Sequence, residues 1–290
     1  MKPTAQAVGR KREMNKLRRS ERIVATQTRP SSTERRPGPA ALNTSAYLAR
    51  IGYAGPVTPT VNTLRGLHRA HMLSVAFENL DIGLGRKIVC DESAFLHKIV
   101  EQHRGGFCYE LNGAFAALLR ELGFRVTLLS ARVPREDGSD GPEFDHLALR
   151  VDLDEPWLAD VGFGDSFLEP LRLQTGVEQP QVGWSYRIVE EQDSLHMERS
   201  ELKGAWRRQY SFTLTPRRLA DFSAMCDYHQ TSPESPFTRK SVCSKGTPTG
   251  RITIADHKLI VTSHGKKEES QLGSEEQWRA ALQVYFGITL

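Results

Sequence analysis

The sequence predicts an α+β protein with a helical N-terminal part, a central antiparallel sheet or barrel, and a third part that mixes strands and helices. Three observations carry this: apolar residues recur at helical spacing up to Gly123, they alternate in short runs from Arg125 to about Arg217, and both patterns recur afterwards. The corresponding divisions are 1–41, 42–124, 125–217 and 218–290. At 290 residues the chain can bury a large core in two or three subdomains.

The first forty residues stand apart. They hold 11 Lys/Arg against Glu13, Glu21 and Glu34, a net of +8, which leaves −4 on the remaining 250 residues of a chain whose total is +4. Such a segment reads as a disordered, solvated tail. It lacks the aromatic interleaving of a nucleic-acid binder and the amphipathic period of a membrane helix, and its three glutamates count against a transit peptide. The chain shows no apolar secretory core and no stretch long enough to span a bilayer, so it reads as cytoplasmic.

The ordered body begins near Leu42. A short helix is expected over Asn43–Ile51, then helices over Thr60–Ala76 (Leu64, Leu67, His68, His71 and Val75 on one face) and Glu92–Gln102 (Phe95, Leu96, Ile99). His68 and His71 lie one turn apart and read as core or helix-face residues. After Cys108, Leu111, Phe115, Leu118, Leu119 and Leu122 mark a buried helix that Gly123 can stop.

Strands are expected over Val126–Val133, His146–Leu153, Trp157–Val161, Trp184–Glu190 and Trp206–Leu214, with turns at Asp137-Gly138 and Gly141-Pro142. Pro216 is placed to open a helix carrying Leu219, Phe222, Met225 and Cys226. Strands then follow around Thr238–Val242, Arg251–Ile254 and Lys258–Thr262, and a last helix runs from Ser274 to Tyr285 behind a good N-cap.

The chemistry centres on Arg104-Gly105-Gly106-Phe107-Cys108-Tyr109-Glu110-Leu111-Asn112. A free cysteine is by default a small buried hydrophobe. Cys108, however, sits in the first turn of a helix, where the partial positive charge favours thiolate, and behind two glycines that allow tight backbone angles. Downstream, the strand from Asp145-His146 and the strand ending at Asp160 read as a hairpin, so His146 and Asp160 can lie near each other, in a register that sequence does not specify. Cysteine, histidine and aspartate form a workable constellation for acyl transfer, in which imidazole takes the thiol proton and carboxylate orients the ring.

The other cysteines, Cys90, Cys226 and Cys243, read as structural thiols, and a chain without a secretory signal argues against a disulfide framework. Cys226 and His229 have a metal-like spacing but no second pair, so no metal is expected. A nucleotide-type phosphate loop is also absent from the sequence. A buried Arg104 would need a carboxylate, and Glu78 is a candidate.

These blocks resemble the arylamine N-acetyltransferases. The resemblance rests on Arg104-Gly-Gly-Phe-Cys-Tyr-Glu-Leu-Asn112, Asp145-His146-Leu147 and Asp160-Val-Gly-Phe-Gly164, and on Ala76-Phe77-Glu78-Asn79-Leu80, where alanine replaces the usual proline. It continues through Tyr228-His229-Gln230-Thr231-Ser232-Pro233 to Phe286-Gly287-Ile288, covering about residues 42–290.

The resemblance implies a cysteine-protease-like catalytic core, a barrel-like second part and a C-terminal α/β lid. It implies a Cys108–His146–Asp160 triad, a polar network of Glu78, Arg104 and Asn112 bracing the site, and an acceptor pocket lined at Phe163 and Gly164. The coenzyme is expected against Phe237, with hydroxyl contacts from Ser241. The implied activity is ping-pong acetyl transfer from acetyl-coenzyme A, as co-substrate, to an arylamine, hydrazine or N-arylhydroxylamine, as in xenobiotic metabolism. An amide synthase or a cysteine hydrolase using the same triad is the alternative, and an anion-binding protein led by the basic tail is a non-enzymatic rival. The expected partners are small molecules, with no specific nucleic acid and no membrane. The oligomeric state stays open, a homo-oligomer included.

Overall fold

The helices of the first part start where capping side chains are available. Asn43 accepts the Ala46 N–H ahead of α1 (Thr44–Arg50), and Thr60 accepts the Thr63 N–H ahead of α2 (Val61–Ser74). The computed structural model describes residues 42–135, 137–201 and 204–290, so the expected basic tail over 1–41 lies outside the described residues. A two-residue strand, β1 (Phe77–Glu78), and a one-turn helix, α3 (Leu80–Gly83), follow α2.

The helix expected over Glu92–Gln102 begins behind the Asp91 cap as α4 (Glu92–Leu96), then widens into a π-helical turn over His97–Glu101. The wider turn carries three consecutive buried residues, Lys98, Ile99 and Val100. Next comes α5 (Cys108–Glu121), buried from Cys108 to Leu119 and ended by Leu122 and the left-handed Gly123 (φ 89°).

The second part is one eight-stranded antiparallel sheet. In chain order its strands are β2 (Arg125–Arg132), β3 (His146–Asp152), β4 (Pro156–Ala159), β5 (Leu171–Arg172), β6 (Gln179–Gln181), β7 (Trp184–Glu191), β8 (Ser194–Glu201) and β9 (Arg207–Phe212). Their spatial order is β5-β4-β3-β2-β9-β8-β7-β6. The sheet is barrel-like and nearly closed. Side-chain amides bridge its two ends: Gln179 pairs with the Arg172 backbone, and Gln181 caps Leu168 and Glu169. Leu129, Leu158, Phe167, Ile188, Met197 and Tyr210 pack together as its core.

In the third part the structure revises two elements. Pro216 does not open a helix. It lies in an irregular stretch beside Arg217, whose N–H donates to Leu128 O, and the helix starts with a 3-10 turn at Leu219–Phe222, where Asp221 accepts the Arg218 N–H, before α6 (Ser223–Thr231). The strand expected from Thr238 begins only at Val242. Ser235 accepts the Phe237 N–H, and Pro236 fits the first helical position, so α7 (Pro236–Arg239) occupies the segment.

The remaining strands, β10 (Val242–Thr247), β11 (Gly250–Ala255), β12 (Lys258–Ser263) and β13 (Lys266–Gln271), form a meander. Its open side pairs with β1, so a strand from the first part completes this sheet. Finally, α8 (Glu275–Phe286), capped by Ser274, lays Leu282 and Phe286 against Ile254, Leu259 and Ile288. No described helix is long and apolar enough to cross a membrane.

Candidate active site

The first turn of α5 is where the three parts of the fold meet. Ahead of it, Gly105 and Gly106 have ordinary φ; the left-handed backbone falls on His103 (φ 54°) instead. The glycines are needed for close approach. A Cβ on Gly105 would stand 2.0 Å from Ala76 O, and the Gly106 N–H donates to that same carbonyl while Gly106 O accepts from the Glu78 N–H. Ala76 thus contributes a backbone carbonyl, which a proline would also supply.

Register places the histidine and the aspartate. β4 pairs Ala159 with Leu149, so Asp160, the next residue, faces the same side as Ala148 and His146. Asp160 Oδ2 lies 2.8 Å from His146 Nε2. The turn after Asp160 packs directly on α5, since a Cβ on Gly162 would stand 2.9 Å from Cys108 Cα. His146 and Asp160 are thereby in contact and the turn after Asp160 lies on Cys108, all three residues being buried, with exposures of 3%, 0% and 3%.

Asn112, one helical turn after Cys108, fixes this arrangement. Its Nδ2 donates to Asp160 Oδ1 (2.8 Å) and Leu147 O (2.6 Å), and its Oδ1 accepts the Val161 N–H (2.9 Å). The Gly162 N–H also donates to Asp160 Oδ1. Burial favours a protonated Asp160, but His146, Asn112 and the Gly162 N–H outweigh it and hold the carboxyl below its ordinary value.

His68 completes the support. Its Nδ1 donates to Leu168 O (2.9 Å), leaving Nε2 to accept the Asp160 N–H (3.1 Å). Burial lowers its pKa to about 4, so this imidazole is neutral and works as a fixed acceptor.

The helix terminus does not by itself yield a thiolate. Burial pushes the Cys108 thiol well up, Asp145 and Asp160 add to this, and the Leu147 and Tyr109 N–H groups pull it down. Deprotonation therefore needs a base.

Glu78 and Arg104 do meet, but Asn112 is not part of their network. Arg104 Nε and Nη2 donate to Glu78 Oε1 (3.0 and 2.8 Å), and Nη2 also reaches Asp81 Oδ1 (3.0 Å). Lys98, delivered by the π-helical turn, binds Asp81 and Glu110 at 2.8 Å each. Glu110 Oε2 in turn caps the Phe107 N–H at the start of α5. Burial raises Glu110 to about 7, with Lys98 opposing and Glu78 adding to the shift. Lys98, Asp81 and Glu110 escaped the sequence reading because nothing in a charged residue's local pattern announces a buried partner.

Around the site, Phe163 stands edge-on to His146 (5.1 Å), with Tyr210 also 5.1 Å from both rings. Gly164 adopts φ 84° and its carbonyl accepts from Arg251. Phe237 packs edge-on against Phe107 at 6.0 Å. Asn79 holds the segment that follows, donating to Phe237 O and Lys240 O and accepting the Val242 N–H. Ser241 turns away, its N–H donating to Asp256 Oδ1 (2.9 Å) with its hydroxyl 3.5 Å from the same atom. All four cysteines are free, and among the described residues no cluster of three or more His, Cys, Asp or Glu could hold a metal.

A family model described as N-acetyltransferase matches residues 60–290. An arylamine N-acetyltransferase of Mycolicibacterium smegmatis is 35% identical over 257 residues, covering 86% of this chain and 93% of the relative. The chain belongs to the arylamine N-acetyltransferase family. Solved structures of the family agree in fold. That from Salmonella typhimurium has a TM-score of 0.80 at 33% identity, covering 84% of this chain and 90% of its own. That of Mycobacterium marinum in complex with CoA has a TM-score of 0.80 at 31% identity, covering 85% and 93%. As a member of this family the chain is an acetyltransferase.

Proposed function

We propose that the enzyme moves an acetyl group from acetyl-coenzyme A to an arylamine, arylhydrazine or N-arylhydroxylamine through an acetyl-cysteine on Cys108. The observation that carries this reading is the 2.8 Å contact of Asp160 with His146 Nε2 in the closed site behind Cys108. With Nε2 committed to Asp160, Nδ1 is the nitrogen that takes the thiol proton. Transfer of that proton gives a thiolate and an imidazolium whose charge Asp160 balances.

The thiolate attacks the thioester carbonyl, the bond to the coenzyme sulfur breaks, and the imidazolium returns its proton to the departing thiolate. The acceptor nitrogen then attacks the acetyl-cysteine, its proton passes to His146, and the Cys108 sulfur leaves. The first N–H groups of α5 have no intrahelical acceptors and suit the developing oxyanion.

On this reading the acceptor lies beside Phe163 and Gly164 and the coenzyme beside Phe237; that a relative from Mycobacterium marinum is solved in complex with CoA supports coenzyme binding by the fold. Glu78, Arg104 and Asn112 brace the site through two separate networks. Exclusion of water from so closed a site favours transfer over hydrolysis.

Intact-protein mass spectrometry after adding acetyl-coenzyme A alone tests the reading. A single acetyl adduct is expected, absent in Cys108→Ala and discharged by an arylamine. Coenzyme release without an adduct would point to hydrolysis, and neither release nor adduct would overturn acetyl transfer.

A further inference from the structure

A serine–histidine–aspartate series lies beside the Cys108–His146–Asp160 group. His229, on α6 and 3% exposed, places Nε2 3.1 Å from Asp145 Oδ1 and 3.3 Å from Asp145 O. Its Nδ1 lies 3.2 Å from the Oγ of Ser235, which is fully buried. The order of groups resembles a hydrolytic triad, but the serine is not free to react. Its oxygen accepts the Phe237 N–H and donates to His229 O, both at 3.2 Å. The series is a strut.

The two ends of the strut join different functions. Asp145 immediately precedes His146, and its carbonyl is also reached by the hydroxyl of Tyr109, the residue after Cys108. Ser235 caps α7, which carries Phe237. The imidazole itself stands edge-on to Phe237 at 5.1 Å and 6.2 Å from the Tyr109 ring. One buried side chain therefore touches the coenzyme-side aromatic and the residues flanking both the nucleophile and its base.

Resting on the acetyl-transfer reading above, we propose that His229 is a positioning residue that couples occupancy of the coenzyme side, sensed at Phe237 and α7, to the placement of His146 at the start of β3. Cys108 is buried, and Phe107 just before it packs against Phe237, so a pantetheine arm entering on the Phe237 side presses on α7. The α7 cap cannot shift without pulling on His229 and, through it, on Asp145. A small acetyl donor that lacks the coenzyme moiety does not engage this device.

The test compares Cys108 acetylation rates, in single turnover, by acetyl-coenzyme A and by p-nitrophenyl acetate, in the full-length enzyme. The ratio of the two rates should fall about tenfold in His229→Leu and in Ser235→Ala, the scale of one or two buried hydrogen bonds. His229→Gln keeps a donor for Asp145 and should recover part of the ratio. A purely structural role would slow both donors alike and leave the ratio unchanged.

A ratio within about twofold of the original in both His229→Leu and Ser235→Ala overturns the coupling role. Should His229→Leu fold poorly, Ser235→Ala alone decides, since it leaves the Asp145 contact in place. An unsubstituted enzyme that forms no acetyl adduct from either donor would instead overturn the acetyl-transfer reading.

Discussion

Two buried polar clusters flank the first turn of α5, and they are built on different principles. On one side, Asp160 is held by Asn112, the Gly162 N–H and a neutral His68, and pairs with His146. On the other, Glu78, Asp81 and Glu110 surround Lys98 and Arg104, all five side chains buried. The first cluster fixes one charge in one orientation through neutral donors, as proton transfer at a chosen nitrogen requires. The second spreads charge over a network that ties β1, α3, the π-helical turn and the start of α5 together. Substitutions in the first should therefore act on rate, and in the second on stability.

The largest effect is expected from Asp160→Asn. Asp160 Oδ1 receives the Asn112 amide and the Gly162 N–H, so the asparagine must keep its oxygen there and turn its NH2 toward His146 Nε2. That selects the tautomer with the proton on Nδ1, which cannot accept a thiol proton. The Cys108 acetylation rate should fall by about 10³–10⁴-fold while the thermal midpoint moves little. A loss below tenfold would mean that the carboxylate is not what orients His146.

Arg104→Met makes the converse case. It leaves Glu78 Oε1 without its two Arg104 donors and Lys98 facing three carboxylates alone. Breaking a buried pair from one side costs about 3–5 kcal/mol. Denaturant unfolding should show this loss, while the acetylation rate of the remaining folded enzyme changes little. If the rate collapsed and stability did not, the division of labour between the clusters would be wrong.

Acid should separate the clusters by sign. The unfolded chain protonates His68 below about 6.5 and the folded chain only below about 4, so stability falls as pH drops through that window, by about 3 kcal/mol in all. Glu110 runs the other way. Its folded pKa of about 7 lies above the ordinary 4.5, so its contribution to stability grows as pH falls from 7 to 4.5. Urea midpoints measured from pH 7 to pH 4 should show a shallower acid loss in His68→Gln and a steeper one in Glu110→Gln. Parallel curves for the two variants would remove both assignments.

The same contrast explains what could be read from the chain beforehand. Helices with a clear apolar stripe and a capping residue, such as α2 and α8, are visible because local pattern and burial coincide, and β3 is visible from its two-residue alternation although it is buried on both faces. The two- and three-residue strands β1, β5 and β6 are too short to show a pattern, and two longer strands escape for opposite reasons. β8 follows a turn at Gln192 that takes a positive φ without glycine, and β13 is exposed along its length, a charged edge with no alternation to detect. At the site, Cys108, His146 and Asp160 could be picked out because their motifs are local. The contacts that hold them could not, since His68 is 92 positions from Asp160 and His229 is 84 from Asp145. Both histidines lie on helical faces where a packed core residue would leave the same trace.

The smallest expected effect belongs to Ser241. Its backbone N–H, not its hydroxyl, makes the short contact with Asp256, and Asn79 independently holds the neighbouring Lys240 and Val242 backbone. Ser241→Ala therefore removes only an exposed 3.5 Å contact with Asp256 that the backbone N–H already secures, and stability should be unchanged. If the coenzyme passes along Phe237, KM for acetyl-coenzyme A should stay within about twofold in Ser241→Ala and rise in Phe237→Ala, where the edge-on ring contacts with Phe107 and His229 are lost. The reverse ranking would place the coenzyme on the Asp256 side of the segment. The strut through Ser235 and His229 would then face the wrong flank of α7 to sense it.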